Sequence, residues 1–196
     1  MSLRYAVLAA LVHGEATGYE LAKRFDAGVA NFWHARPQQI YAELTRLHES
    51  ELVRATEVPQ RNRPTKRVFA LTDAGVAELV AFAAAPKQPT ALRDELMVAV
   101  QAADVVDPDV LVEALDRQAE RARRKLAHFR DVERSILSGR TEEEFVRTTR
   151  HLGPYLTCRA GIRLETETAQ WCAWAIELLR ARQGRDQAPK ANCPTA

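Results

Sequence analysis

The order of its elements predicts a mainly α chain: an N-terminal winged helix-turn-helix with a two-stranded β wing, then a C-terminal long-helix dimerisation domain. Three observations carry that prediction. Three short helical patterns are followed by two stretches of alternating residues and one more helix, the element order of a winged helix-turn-helix. The segment Ala85-Pro86-Lys87-Gln88-Pro89-Thr90 then interrupts helix twice, because proline removes a donor and restricts the residue before it. Beyond it every periodic pattern is helical and long. The expected division is a winged-helix domain at 1–85, a linker at 86–90, a helical dimerisation domain at 91–183 and an unstructured tail at 184–196.

The elements follow in order. Leu3, Val7, Ala10 and Leu11 keep helical spacing, and Gly14 stops that helix. A second helix is expected from Thr17 to Phe25. A third starts near Pro37, a residue suited to the first helical position, and aligns Ile40, Leu44 and Leu47 on one face. Leu52–Val58 and Lys66–Leu71 read as strands around the polar turn Pro59–Thr65. Thr72 is placed to cap a helix reaching Ala84. A hairpin alone is marginal in water, so its apolar face must lie on the helices.

In the second half, Leu92–Ala103 is one expected helix. Asp107-Pro108 opens a long one that ends near Ser138, with Leu111, Leu115, Ala119, Ala122, Leu126, Phe129 and Ile136 in a heptad-like seam. A last helical stretch, Glu142–Gln183, is expected to bend at Gly153-Pro154. Ile162, Thr166, Ala169, Ala173 and Ile176 form one stripe on it; Trp171, Trp174 and Leu178 form another. Such broad apolar faces call for a second copy of the chain. The residues expected at a dimer interface are Leu111, Leu115, Leu126, Phe129, Ile162, Trp171, Trp174 and Ile176.

Composition bounds the function. The chain has 196 residues, is 46% hydrophobic and carries a net charge of +2. That is enough apolar material for a core and argues against disorder throughout. Three cysteines without a CxxC pair make neither a disulfide framework nor a zinc site. The N-terminal apolar run is too short to span a bilayer and lacks a signal-peptide pattern, so no membrane partner and a cytoplasmic location are expected. The five histidines show no metal-binding spacing, and no P-loop, GxSxG or paired-carboxylate motif is present. No enzyme, metal or cofactor is expected.

Charge is unevenly distributed. Between Arg54 and Arg67 five basic residues face one acid, Glu57, so this hairpin carries +4 while the whole chain carries +2. A basic hairpin tip can lie along a phosphate backbone, its affinity coming from counterion release. It can also be a solvated loop whose charges deter edge pairing. The third helix weighs in favour of nucleic acid. Opposite its apolar face it carries Gln38, Ala42, Thr45 and Arg46, flanked by Gln39 and Tyr41. Gln and Arg suit base edges in the major groove, and Tyr and Thr suit phosphates. The second helix adds Tyr19 and Lys23, where a helix-turn-helix crosses the backbone. The expected DNA-binding set is Tyr19, Lys23, Gln38, Gln39, Tyr41, Thr45, Arg46, Arg61, Arg63, Lys66 and Arg67. The basic run Arg121–Lys125 is flanked by acids and reads as a salt-bridged face.

Several motifs in the right order resemble the PadR family of transcriptional regulators. They are Gly18-Tyr19-Glu20-Leu21, Gln39-Ile40-Tyr41-Ala42-Glu43-Leu44, Arg63-Pro64 ahead of Val68-Phe69-Ala70-Leu71-Thr72-Asp73-Ala74-Gly75, and Leu92-Arg93-Asp94-Glu95-Leu96. Asn31-Phe32-Trp33-His34-Ala35 leading into Gln38 is similar to the virulence-activator branch. The resemblance implies a homodimer that binds double-stranded DNA at a roughly palindromic promoter operator. Many such relatives repress, and the activator branch can also activate. Some respond to phenolic or other aromatic molecules, so a small aromatic effector is a further expected partner, with Trp171 and Trp174 as candidate lining. The alternative is a dimeric interaction or scaffold protein whose winged helix no longer binds DNA. Two departures stand out. Glu51 replaces the glycine that family members usually have after the third helix, and Asn62 stands where a glycine often precedes the Arg-Pro pair.

Overall fold

The computed structural model describes residues 3–25, 33, 35–60, 63–87 and 93–186. The chain divides into two compact units, Met1–Pro89 with Thr141–Thr157, and Thr90–Arg140 with Cys158–Ala196. The stretch 141–157, expected within the helical domain, thus groups with the first unit.

The first unit contains α1 (Leu3–Leu11), β1 (Ala16–Thr17), α2 (Gly18–Arg24), α3 (Pro37–Glu49), β2 (Val53–Gln60), β3 (Arg63–Leu71) and α4 (Asp73–Ala84). Its core joins Val7, Leu8 and Leu11 of α1, Leu21 of α2, and Ile40, Leu44 and Leu47 of α3 to Val53 and Phe69 of the sheet. Burying this apolar face is what holds three short helices together, since helices of their length are marginal alone. Thr17 caps α2 in a reciprocal box with Glu20, whose Oε2 accepts from the Thr17 backbone at 2.8 Å. Thr72 caps α4, its hydroxyl accepting from Gly75 N at 3.0 Å. At the other end of α4, Lys87 donates to the carbonyls of Phe82 and Ala85.

The sheet has three strands in the order β1-β3-β2. The sequence predicted only the hairpin, because a two-residue strand shows no alternation. β1 nonetheless pairs Ala16 with Phe69 and Thr17 with Val68. The hairpin strands also run further than expected, to Gln60 and Arg63. Pro59 is tolerated because it sits at a register irregularity between Val58 and Gln60 on an edge strand.

Glu51 adopts the left-handed conformation, φ 57°. It ends α3 as a glycine would: Leu52 N donates to Leu47 O at 2.9 Å and Glu51 N to His48 O at 3.0 Å. Leu52 then packs in the same core as Leu47. Two clamps hold this corner: Thr72 Oγ1 donates to Glu51 O at 2.8 Å, and Thr72 N to Leu52 O at 3.2 Å.

The rest of the chain forms α5 (Glu95–Gln101), α6 (Pro108–Leu137), α7 (Glu142–Thr148) and α8 (Leu152–Asp186). In the second unit Leu115 and Ala119 of α6 pack on Cys172, Ala175 and Ile176 of α8, with Leu96 and Val100 of α5 alongside. Lys125 pairs with the buried Glu165 at 3.1 Å, and Arg159 with Glu133 at 2.8 Å. Two expectations are corrected. The last helical stretch breaks between Thr148 and Leu152, not at Gly153-Pro154. Pro154 instead falls in the first turn of α8, where its missing N–H costs no hydrogen bond. The last helix also continues to Asp186, past the expected start of the tail; residues 187–196 lie outside the described residues. Among the described residues no helix is long and apolar enough to cross a membrane.

Candidate nucleic-acid interface

α3 is sorted cleanly. Ile40, Glu43, Leu44 and Leu47 are buried, while Gln38, Gln39, Tyr41, Ala42, Thr45 and Arg46 are exposed. The 3.6-residue period puts these exposed positions on one surface that runs from the first turn to the last. The side chains are not equally free. Gln39 Oε1 accepts from Arg36 N at 2.8 Å, so in this state Gln39 holds the start of the helix. Arg46 pairs with Glu43 at 3.2 Å, and Thr45 Oγ1 donates to Tyr41 O at 3.3 Å. Gln38 projects from the first turn.

α2 places Tyr19 in solvent, 62% exposed, with Lys23 Nζ 4.7 Å from its ring centroid. The hydrogen bond to Tyr19 holds the Lys23 amine above its usual range, so it stays cationic. Arg24 does structural work: it donates to Gly14 O at 3.0 Å and Glu15 O at 3.2 Å, tying the turn before β1.

On the wing, Lys66 lies opposite Val58 and Arg67 opposite Glu57. Arg67 is exposed, with its guanidinium 5.3 Å from the Phe69 ring centroid. Lys66 is half-buried and close enough to Glu20 to help lower that carboxyl's pKa, although the hydrogen bonds from Thr17 lower it more. Arg63 belongs to β3 through its backbone, paired with Gln60. Its side chain, like all of Arg61 and Asn62, lies outside the described residues, as do Asn31, Phe32, His34 and Leu92.

Sequence reasoning missed one participant. Gly18 opens α2 beneath the Tyr41 ring, and a Cβ there would lie 2.1 Å from Tyr41 Cε1. Its only sequence signal was its place in the Gly-Tyr-Glu-Leu motif.

The expected dimer residues separate by burial. Leu111, Leu115, Phe129 and Ile176 are already buried within the chain. Leu126, Ile162 and Trp171 are half-buried, and Trp174 is 55% exposed. Leu164 and Leu178 on the same helix are exposed as well. An open groove of about 530 Å³ runs along α5, lined by Arg93, Asp94, Glu95, Met97, Val98 and Gln101; neither tryptophan lines it. Among the described residues no three His, Cys, Asp or Glu side chains converge on a metal site.

A three-helix core with an outward third helix and a basic hairpin behind it defines a winged helix-turn-helix protein. Residues 7–81 match the transcriptional regulator PadR-like family, and residues 92–180 match the virulence activator alpha C-terminal family. The probable transcriptional regulator Rv1176c of Mycobacterium tuberculosis is 34% identical over 193 residues, spanning 93% of this chain and all of that protein. The chain belongs to the PadR-like family of transcriptional regulators, which are not enzymes. The negative transcriptional regulator PadR of Bacillus subtilis is 24% identical over 86% of this chain and 92% of its own. Its crystal structure with operator DNA matches with TM-score 0.77 at 22% identity, covering 90% of this chain and 98% of that one. The same protein has a structure with p-coumaric acid, with TM-score 0.71 at 22% identity, covering 91% of this chain and 95% of that one. The Vibrio cholerae virulence activator AphA matches with TM-score 0.68 at 26% identity, covering 92% and 99%.

Proposed function

We propose that the chain is a sequence-specific DNA-binding regulator that acts as a homodimer on a promoter operator in the cytoplasm. The observation that carries this reading is the sorting of α3. Every residue assigned to DNA on that helix is exposed, with Ala42 exposed among them, while Ile40, Glu43, Leu44 and Leu47 are buried on the opposite face. Gln38 and Arg46 would face bases in the major groove, Tyr41 and Thr45 would face phosphates, and Gln39 would join them on leaving its backbone partner. Tyr19 and Lys23 would meet the backbone beside α2. Arg61, Arg63, Lys66 and Arg67 on the wing would follow the phosphates further along. The head would span 1–85 and the dimerising arm 91–183.

A second copy accounts for the outward face of α8. Leu164, Trp171 and Leu178 recur every seven residues, with Trp174 between them, the spacing of a helix–helix seam. Leu126 and Ile162 would complete the interface. An aromatic effector would bind near Trp171 or Trp174 once two chains meet; the p-coumaric acid complex of the Bacillus relative supports testing that compound first.

Selection of duplexes from a random pool by the full chain tests the reading. It should enrich a near-palindrome whose half-sites lie about one helical turn apart, roughly 34–36 Å, or a multiple of that. A pool that stays unenriched would sink the reading and favour the scaffold alternative.

A further inference from the structure

Gly18 and Tyr41 are in a contact that no larger residue at position 18 could make. A Cβ built on Gly18 would lie 2.1 Å from Tyr41 Cε1, 2.6 Å from Cδ1 and 3.1 Å from Cζ. Carbon atoms at optimal separation lie about 3.5–4.0 Å apart, so an added methyl group would displace the ring by more than about 1 Å. The glycine is there for space and not for conformation, because Gly18 is not among the residues with positive φ. It is buried at the first position of α2, where the Thr17–Glu20 box fixes the helix start. Tyr41 belongs to α3, between Gln38 one turn earlier and Thr45 one turn later. The Cδ1–Cε1–Cζ side of its ring lies against the start of α2 while 46% of the residue stays exposed.

We propose that this seat sets the orientation of α3 against α2, so that Tyr41 acts as a positioning residue for base reading; the proposal rests on the DNA-reading function above. α2 is held from its other side by β1, whose Thr17 pairs with Val68 of the wing strand. The seat therefore joins the groove helix to the backbone-crossing helix, while the wing strand is held separately through its pairing with β1. A ring that moves on one side must either tilt α3 or swing into solvent. Both remove the brace between α3 and α2, on which the placement of Gln38 and Arg46 toward bases depends. Phosphate contacts made by the wing do not pass through this seat and would persist.

Four variants of the full chain test it, each measured for thermal midpoint, affinity for the selected operator, affinity for unrelated duplex, and salt slope. Gly18→Ala should lose about tenfold or more in operator affinity, the worth of one well-placed base contact, while unrelated duplex and salt slope hold. Tyr41→Phe keeps the ring and loses the hydroxyl assigned to phosphate, so it should weaken operator and unrelated duplex alike while keeping the sequence preference. Tyr41→Ala should lose preference, and adding Gly18→Ala to it should cost nothing more in affinity or midpoint, because the clash partner is gone. If Gly18→Ala selects and binds the operator like the wild type, the proposal is overturned. It is equally overturned if Gly18→Ala costs as much in the Tyr41→Ala background as alone. Should Gly18→Ala fail to fold, the comparison of Tyr41→Phe with Tyr41→Ala decides: equal preference in the two defeats the seat. A wild-type chain that enriches no sequence defeats the DNA reading itself, an outcome distinct from variants that match a binding wild type.

Discussion

His13 and His151, 138 residues apart in sequence, bring their Nδ1 atoms to 2.8 Å, with the rings edge to face and centroids 4.7 Å apart. Both belong to the first unit, so the turn after α1 is tied to the residue that precedes α8. One ring must donate and the other accept, which requires at least one neutral imidazole. Burial pushes the His13 pKa below its ordinary 6.5, and the charges of His151 and Arg24 push the same way.

The pH consequence has a definite sign. His13 takes up a proton less readily in the folded state than in the unfolded one. Its contribution is therefore complete above about pH 6.5 and is lost as the pH falls from there toward the lower folded value. Urea midpoints at about pH 7.5 and about pH 5.5 should differ more for the wild type than for His13→Gln. An unchanged pH dependence in His13→Gln would remove the assignment.

Glu51→Gly should stabilise the chain. A non-glycine residue in the left-handed region costs about 1–2 kcal/mol, and Glu51 is held there at φ 57° to end α3. The two bonds that close the cap, Leu52 N to Leu47 O and Glu51 N to His48 O, are backbone ones and do not use the carboxylate. A denaturation midpoint higher by about 1 kcal/mol equivalent is expected, with DNA affinity unchanged.

Gly75→Ala should do the opposite. A Cβ there would lie 2.1 Å from Leu52 O and 3.3 Å from Leu71 Cδ2. Backbone cannot step aside as a flexible side chain can, and the same carbonyl already accepts from Thr72 N. Overpacking at such a site costs about 1–3 kcal/mol, readable in the same denaturation experiment.

Replacing Arg63 and Lys66 together by Ala should weaken binding to all duplexes alike and flatten the salt dependence by about two counterions. An unaltered slope of log affinity against log salt would remove both from the phosphate contacts.

Leu115 and Trp174 should respond differently. Leu115 is fully buried inside its own chain, so Leu115→Ala should lower stability by about 2–5 kcal/mol. Trp174 is 55% exposed. Trp174→Glu should leave the fold intact and shift sedimentation toward the monomer. A variant that still sediments as a dimer would place the interface elsewhere.

Local signals are the ones a sequence displays openly. Pro37 opening α3, Thr72 capping α4 and the Ile40, Leu44, Leu47 stripe all act within a few residues, so their chemistry could be read in order along the chain. The exposed face of α3 and the basic wing were legible for the same reason. Charge and periodicity belong to neighbouring residues. The resemblance of the Gly18, Gln39 and Val68 motifs added the family, which periodicity alone does not contain.

Tertiary structure decided what depends on partners distant in sequence. β1 is a strand only because β3 offers it a register, and two residues carry no pattern of their own. The seam on α6 and α8 looked like a surface for another chain, yet Leu115 and Ile176 spend their apolar area on the chain's own core, leaving Trp174 outward. Gly18 acquired its meaning only when α3 laid Tyr41 across it. An amphipathic pattern says that a face must be buried. It does not say against what, because burial energy follows area and has no direction of its own.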